Sequence, residues 1–147
     1  MLQELFITNF VLIDKVTINL CDRLNVFSGA TGVGKSMVIG ALNFILGGRA
    51  TADIVRSGKD EATVIGKFSL KDKNLLRQIT KVADNITIDE ELLLQRTIDT
   101  HGRSRCRLND MPITVSLLKE LGEMLVNIHG QHEHETLLHG TNQLYIL

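Results

Sequence analysis

The sequence is short of several residue types that mark special classes of protein. Its 147 residues include two cysteines, one proline, no tryptophan and 4% aromatic residues. Cys21 and Cys106 lie far apart and allow one disulfide at most and no zinc-binding CxxC pair, so a reducing cytosol is expected. No apolar run approaches the ~20 residues of a membrane span, and Glu4 in place of a basic segment argues against a signal peptide. We therefore expect a cytoplasmic protein without a membrane partner.

The charges are balanced, with 16 Lys and Arg against 17 Asp and Glu and a net charge of −1. This balance excludes a uniformly basic surface, so any contact with nucleic acid would need a local patch. Hydrophobic residues make up 44% and charged residues 22%, which excludes a disordered, collagenous or coiled-coil chain. The length is sufficient for the core of one domain.

The spacing of apolar residues predicts a mixture of strands and helices. The predicted strands cover residues 5–13, 16–20, 24–27, 63–70, 92–98 and 103–108. The predicted helices cover residues 35–46, 71–83 and 116–128. A bend over 9–14 joins the first two strands, Gly47 and Gly48 end the first helix, and a turn over 99–102 joins the last two strands.

A glycine-rich segment between the strand at 24–27 and the first helix carries a phosphate-binding pattern. It fits G-x-x-x-x-G-K-[ST] at every fixed position and consists of Gly29, Ala30, Thr31, Gly32, Val33, Gly34, Lys35 and Ser36. Glycines let the backbone curl so that several amide groups point at one anion, and the helix adds the positive end of its dipole. Lys35 is expected to reach the β- and γ-phosphates, and the Ser36 hydroxyl to hold Mg²⁺. We therefore predict a site for a nucleoside triphosphate.

Three arginines alternate along the last predicted strand. The two-residue period of a strand places Arg103, Arg105 and Arg107 on one face, roughly 6.5–7 Å apart in succession, and Arg96 on the preceding strand could join them. The planar guanidinium group binds phosphate through paired hydrogen bonds, although runs of charge are often merely solvated. Because no aromatic residue interleaves the patch, contact with a nucleic-acid backbone is favoured over base stacking.

Two other features do not fit the chemistry they suggest. His129, His132, His134 and His139 crowd together, but their spacing does not match that of a zinc protease and no thiolate pair accompanies them. Asp89 follows an apolar segment that alternates with polar residues, unlike the buried strand that carries the magnesium-binding acid of a P-loop ATPase. We predict neither a metal site at the histidines nor that role for Asp89.

Several segments together resemble the SMC-like ABC ATPases that act in DNA repair, specifically the N-terminal half of their ATPase head. The similar segments are residues 5–10, 29–36, 46–50, 53–58, 102–105 and 128–134. The resemblance implies an α/β fold of the P-loop NTPase type, with an antiparallel β subdomain and a P-loop strand–helix unit. It also implies that residues 1–147 form an incomplete head without its C-terminal lobe and coiled coil. Ala30 departs from the family, which commonly has Glu there.

The same resemblance implies a function and further site residues. Gln131 matches a glutamine that contacts Mg²⁺ and acts in catalysis with Lys35, and Arg103 resembles an arginine that faces nucleotide or DNA. We expect ATP and Mg²⁺ as cofactors, and DNA together with a C-terminal half or a second head as partners. The expected role is recombinational repair of DNA double-strand breaks, with little ATP hydrolysis by this chain alone. A small self-contained P-loop kinase, a transporter-type ATP-binding protein and a catalytically dead remnant remain alternatives.

Overall fold

A computed structural model of the chain describes residues 1–29 and 32–126, and a six-stranded antiparallel sheet dominates this part. The strands are β1 (Leu2–Phe10), β2 (Ile13–Asn19), β3 (Glu61–Ser69), β4 (Glu91–Asp99), β5 (Ser104–Leu108) and β6 (Met111–Ile113). Their spatial order is β2-β1-β3-β4-β5-β6. The helices are α1 (Val33–Ile45), α2 (Lys73–Val82) and α3 (Val115–Leu125), with a short 3₁₀ turn at Ala52–Ile54.

Strand alternation gives the sheet two different faces. In β3, every second residue from Ala62 to Phe68 is buried and the residues between them are partly exposed. The buried side chains of the three helices belong to the same core as this inner face. We call the opposite face, which carries Thr63, the outer face. The predicted strands at 63–70, 92–98 and 103–108 and the initial hairpin are thereby confirmed.

The end of α1 lies unusually close to α3. Gly47 has φ +89°, and a Cβ on it would lie 2.5 Å from the Lys119 Cα. A Cβ on Gly122 would lie 2.4 Å from the Leu46 carbonyl oxygen. Gly47 therefore permits the turn that ends α1, and both glycines permit the close contact between the helices.

Side-chain caps fix the beginnings of the other two helices. The Asp72 carboxylate accepts a hydrogen bond from the Asn74 amide (2.8 Å) at the start of α2, and the Thr114 hydroxyl accepts one from the Leu117 amide (3.1 Å) at the start of α3. The predicted helices at 71–83 and 116–128 exist with shorter bounds, since α3 ends at Leu125. No helix in the described ranges has the length and apolar character to cross a membrane.

The predicted strand at residues 24–27 is not formed. The Asn25 side chain closes a loop there, accepting from the Cys21 amide (2.9 Å) and donating to the Cys21 carbonyl (2.9 Å). Leu24 and Val26 are 79% and 77% exposed. A strand needs a hydrogen-bonding neighbour, and none of the described strands pairs with this segment. The apolar sequence thus has no partner within the described residues.

Candidate functional site

The phosphate-binding pattern lies at the start of α1, as the sequence predicted. The Ser36 amide donates to the Gly32 carbonyl (2.9 Å), which makes the amides of residues 33–35 the ones without an intrahelical acceptor. Gly32 provides no side-chain cap, and the first turn contains no acidic residue. The positive end of the helix dipole is therefore available to an anion. Ala30 and Thr31 lie outside the described residues.

The side chains at the helix start are open to solvent. Gly29 and all five residues 32–36 are exposed, including Lys35 and Ser36. A Cβ built on Gly32 or Gly34 would meet nothing within 4 Å. A phosphate group fits this open space, where the free amides and the Lys35 ammonium can bind it. The Ser36 hydroxyl is an oxygen ligand of the kind that Mg²⁺ accepts.

An open groove of about 740 Å³ adjoins the helix start. Phe10, Val11 and Ile54 line its apolar side, and Ser36 and Arg49 contribute polar groups. Such a combination of apolar wall and few polar groups is typical of small-molecule sites. The sequence interpretation did not assign Arg49, although it follows directly after the glycines that end α1.

The groove wall contains a strained backbone. Asn9 and Val11 both have φ of 53°, a left-handed conformation that is costly for a β-branched residue. The Val11 amide donates to the Ile54 carbonyl (2.7 Å) and the Arg56 amide to the Asn9 carbonyl (2.9 Å). The Arg56 guanidinium also donates to the Leu12 carbonyl (2.9 Å). These bonds hold the wall in a conformation that its sequence alone would not favour.

The alternation of the arginines is confirmed for the two that lie within β5. Arg105 is paired in register with Thr97, and Arg107 with Gln95, all on the outer face. These four residues line a depression of about 230 Å³. Arg105 also forms an ion pair with Glu61 (2.5 Å), which is worth little because both partners are largely exposed.

Arg103 lies just before β5 and is engaged within the hairpin turn. Its Nε donates to the Asp99 carboxylate (2.8 Å), and its amide donates to the same carboxylate (3.0 Å). These bonds lower the pKa of Asp99, the backbone bond from Arg103 contributing most. Arg103 is thus a turn-stabilising residue in this structure, 75% exposed at its side chain.

The prediction that Arg96 joins the exposed arginines is wrong. Arg96 is 3% exposed and is paired in register with the buried Cys106, so it lies on the inner face. Its Nη1 donates to the carbonyls of Phe44 (2.8 Å) and Gly48 (2.6 Å), and its Nη2 donates to the Ser104 hydroxyl (3.3 Å). Burial lowers the pKa of Arg96, and arginine nevertheless remains charged. Arg96 lies two residues after Leu94 and two before Ile98, so strand alternation places it on the same face as these core residues.

The remaining sequence features contribute nothing to the described site. Gln131 and the four histidines lie outside the described residues. Asp89 is exposed and lies in the non-strand segment before β4. Within the described ranges, no group of His, Cys, Asp and Glu side chains could hold a metal ion.

The sequence matches the family model described as AAA domain over residues 4–133. The chain belongs to the AAA domain family. It is 40% identical over its whole length to the DNA repair protein RecN of Halalkalibacterium halodurans, 40% to that of Vibrio cholerae and 36% to that of Bacillus subtilis. It spans about a quarter (26%) of the length of each of these relatives. The resemblance to DNA-repair ATPases predicted from the sequence is thus confirmed.

Solved structures show the same fold. A structure of an SMC ATPase has a TM-score of 0.73 and 22% identity, and the match covers 99% of this chain and 96% of that one. The Smc head domain of Pyrococcus yayanosii has a TM-score of 0.70 and 24% identity, over 99% of this chain and 29% of that one. The predicted α/β fold of the SMC head type is confirmed.

Proposed function

We propose that this chain is the nucleotide-binding part of an SMC-like ATPase that acts in the repair of DNA double-strand breaks. The phosphate-binding segment at the open start of α1 carries this proposal. The similarity to RecN over the whole chain supports repair as the process, and it favours this function over a kinase or a transporter subunit.

In the proposed site, ATP is held from its phosphates to its nucleoside. The free amides of residues 33–35 would point at the phosphates, and Lys35 would neutralise the terminal ones. The Ser36 hydroxyl, together with Gln131, would hold Mg²⁺, which supplies further charge neutralisation when bound. The apolar groove side at Phe10 and Ile54 accommodates the nucleoside, with Arg49 at its polar side.

The proposed site is incomplete in this chain alone. Hydrolysis by P-loop ATPases relies on an acidic residue that holds the metal, and Asp89, the residue weighed for this role, is exposed and lies outside any strand. The exposed Leu24 and Val26 suit burial against another segment, because neighbouring exposed apolar side chains mark contact surfaces. We propose that the remainder of a longer protein, or a second head, completes both the sheet and the site.

The proposed partner on the outer face is the phosphate backbone of DNA. One row across the sheet consists of Lys15, Thr8, Thr63, Thr97 and Arg105, which are paired in direct register. The Thr63 and Thr97 hydroxyls are 2.9 Å apart, and the Thr8 hydroxyl lacks a partner among the described residues. The exposed cations at both ends, about 19 Å apart over four strand spacings of ~4.8 Å, can contact phosphates of the backbone. The Thr8 hydroxyl and Thr97 are buried between them and do not take part.

The nucleotide proposal is tested by replacing Lys35. Titration with Mg²⁺ and the fluorescent analogue mant-ATP should give an affinity about 10- to 100-fold weaker for Lys35→Ala, since a charge-assisted contact is lost. Lys73→Ala is the matched control, because Lys73 is an exposed lysine in the first turn of α2. Equal binding by both variants would contradict the site. Robust Lys35-dependent hydrolysis by this chain alone would favour a self-contained kinase or ATPase.

The DNA proposal is tested by salt dependence. Duplex binding by Arg107→Gln should weaken at every sequence, and the slope of log affinity against log salt should fall by about 1. Arg77→Gln, on the exposed side of α2, is the control. An unchanged slope for Arg107→Gln would remove the outer face from the proposal.

A further inference from the structure

The buried guanidinium of Arg96 lies at the end of the helix that starts at the phosphate loop. Helix α1 ends at Ile45 and has no basic residue in its last turn. Its last carbonyls carry the negative end of the helix dipole, and those of Leu42, Asn43 and Phe44 accept from the backbone amides of Leu46, Gly48 and Gly47. Arg96, which comes from β4, donates to the Phe44 carbonyl in this turn and to the Gly48 carbonyl beyond it. It therefore adds a charged donor to the turn that Gly47 and Gly48 close, and it ties that turn to the sheet.

The same side chain contacts two other parts of the molecule. Its Cζ lies 4.5 Å from the centroid of the Phe44 ring, a cation–π contact. The Phe44 ring in turn packs on Phe10, with centroids 5.7 Å apart, and Phe10 lines the groove. On the other side, Ser104 is the first residue of β5. The Arg96 guanidinium thus connects the end of α1, the groove wall and β5.

We propose that Arg96 is a positioning residue for nucleotide binding, which fixes α1 along its axis on the sheet and so places the amides, Lys35 and Ser36 at the start of the helix. The proposal rests on the proposed nucleotide site. An α-helix rises 1.5 Å per residue and is stiff along its axis, so a shift at Phe44 is carried to Ser36 about 12 Å away. A lysine keeps the charge, but its single ammonium cannot replace the planar fork that reaches both α1 and β5.

The test compares Arg96→Lys with Arg77→Lys, the same exchange at an exposed arginine of α2 outside the proposed sites. We expect mant-ATP affinity in the presence of Mg²⁺ to fall about tenfold for Arg96→Lys and by less than about twofold for Arg77→Lys. Ser104→Ala removes one acceptor and leaves the bonds to α1, so a smaller loss at an almost unchanged Tm is expected. The double variant of Arg96 and Ser104 should lose little more than Arg96→Lys alone, because both act through one contact.

A merely structural role predicts a different pattern. Affinity would then follow Tm across the variants, and the losses at Arg96 and Ser104 would add. That pattern, or wild-type affinity in folded Arg96→Lys, would overturn the proposal. Should Arg96→Lys not fold, unchanged affinity of Ser104→Ala would overturn it.

Failure of the nucleotide site itself is recognised separately, because wild-type protein would then not bind mant-ATP. Hydrogen exchange then tests the positioning role directly. In Arg96→Lys, or in Ser104→Ala should the lysine variant not fold, the amides of residues 37–45 should exchange faster relative to those of β3, and in Arg77→Lys they should not. Unchanged exchange along α1 would overturn the proposal.

Discussion

Replacing Gly122 with alanine tests the contact between α3 and the end of α1. Gly122 is buried, and a Cβ on it would lie 2.4 Å from the Leu46 carbonyl oxygen and 2.9 Å from the Leu46 Cα. Non-bonded carbon atoms prefer separations of roughly 3.5–4.0 Å. The obstacle is backbone, which cannot rotate away, so the two helices would have to separate by about 1 Å.

The expected loss of stability is the difference between two opposing effects. Overpacking of this kind costs about 1–3 kcal/mol, and a rigid obstacle favours the upper end of that range. Alanine gains about 1 kcal/mol over glycine in a helix interior. The free energy of unfolding of Gly122→Ala should therefore fall by about 2 kcal/mol, which corresponds to a Tm roughly 6–8 °C lower for a chain of this size.

Gly40→Ala is the matched control, because Gly40 is also a glycine inside a helix. A Cβ there would lie 3.7 Å from Phe10 Cε1, an ordinary contact. This variant should be unchanged or more stable by up to about 1 kcal/mol. Urea unfolding followed by circular dichroism measures both variants. Shifts of the same sign and similar size would refute the reasoning.

Three further predictions concern the hairpin, the thiols and the unpaired segment. Because the pKa of Asp99 is lowered in the fold, its stabilisation is present above the ordinary aspartate pKa of about 3.9 and is lost as the pH falls through the lower folded-state value. Asp99→Asn should flatten the acid side of a Tm–pH curve, and an unchanged acid side would contradict this. Cys21 is exposed, whereas Cys106 is buried and burial raises its pKa, so one thiol should react with a disulfide reagent in the native protein and both in urea; rapid reaction of both without urea would be inconsistent. Val26→Lys should reduce self-association in analytical ultracentrifugation, because Val26 is 77% exposed, and an identical sedimentation profile would argue against that surface.

The sheet and α1 could be predicted from local patterns. Period-two alternation in β3 and β4 and the spacing of Ala41, Phe44 and Ile45 in α1 follow directly from burial on one face. The glycine pattern likewise predicted that a helix follows it, although α1 begins at Val33, two residues before the predicted start. These features depend on neighbours in sequence, which a single chain displays.

The errors arose where the outcome depends on distant partners. Residues 24–27 look like a strand, yet the described residues contain no strand for them to pair with. Arg96 was grouped with the other arginines by residue type, although it shares its parity with Leu94 and Ile98 on the inner face. Its two carbonyl acceptors lie at the end of α1 and just beyond it, about 50 residues earlier in the chain, and no local pattern reveals them.

The order of the strands also has a consequence for folding kinetics. β1 and β2 form one local hairpin, and β3 to β6 form a meander of sequential neighbours. Pairing of β1 with β3 joins these two units and must close a loop of about 40 residues that contains α1. Because non-local pairing is slow, we expect each unit to form first and the segment with the phosphate loop to gain its fixed ends only in the last step.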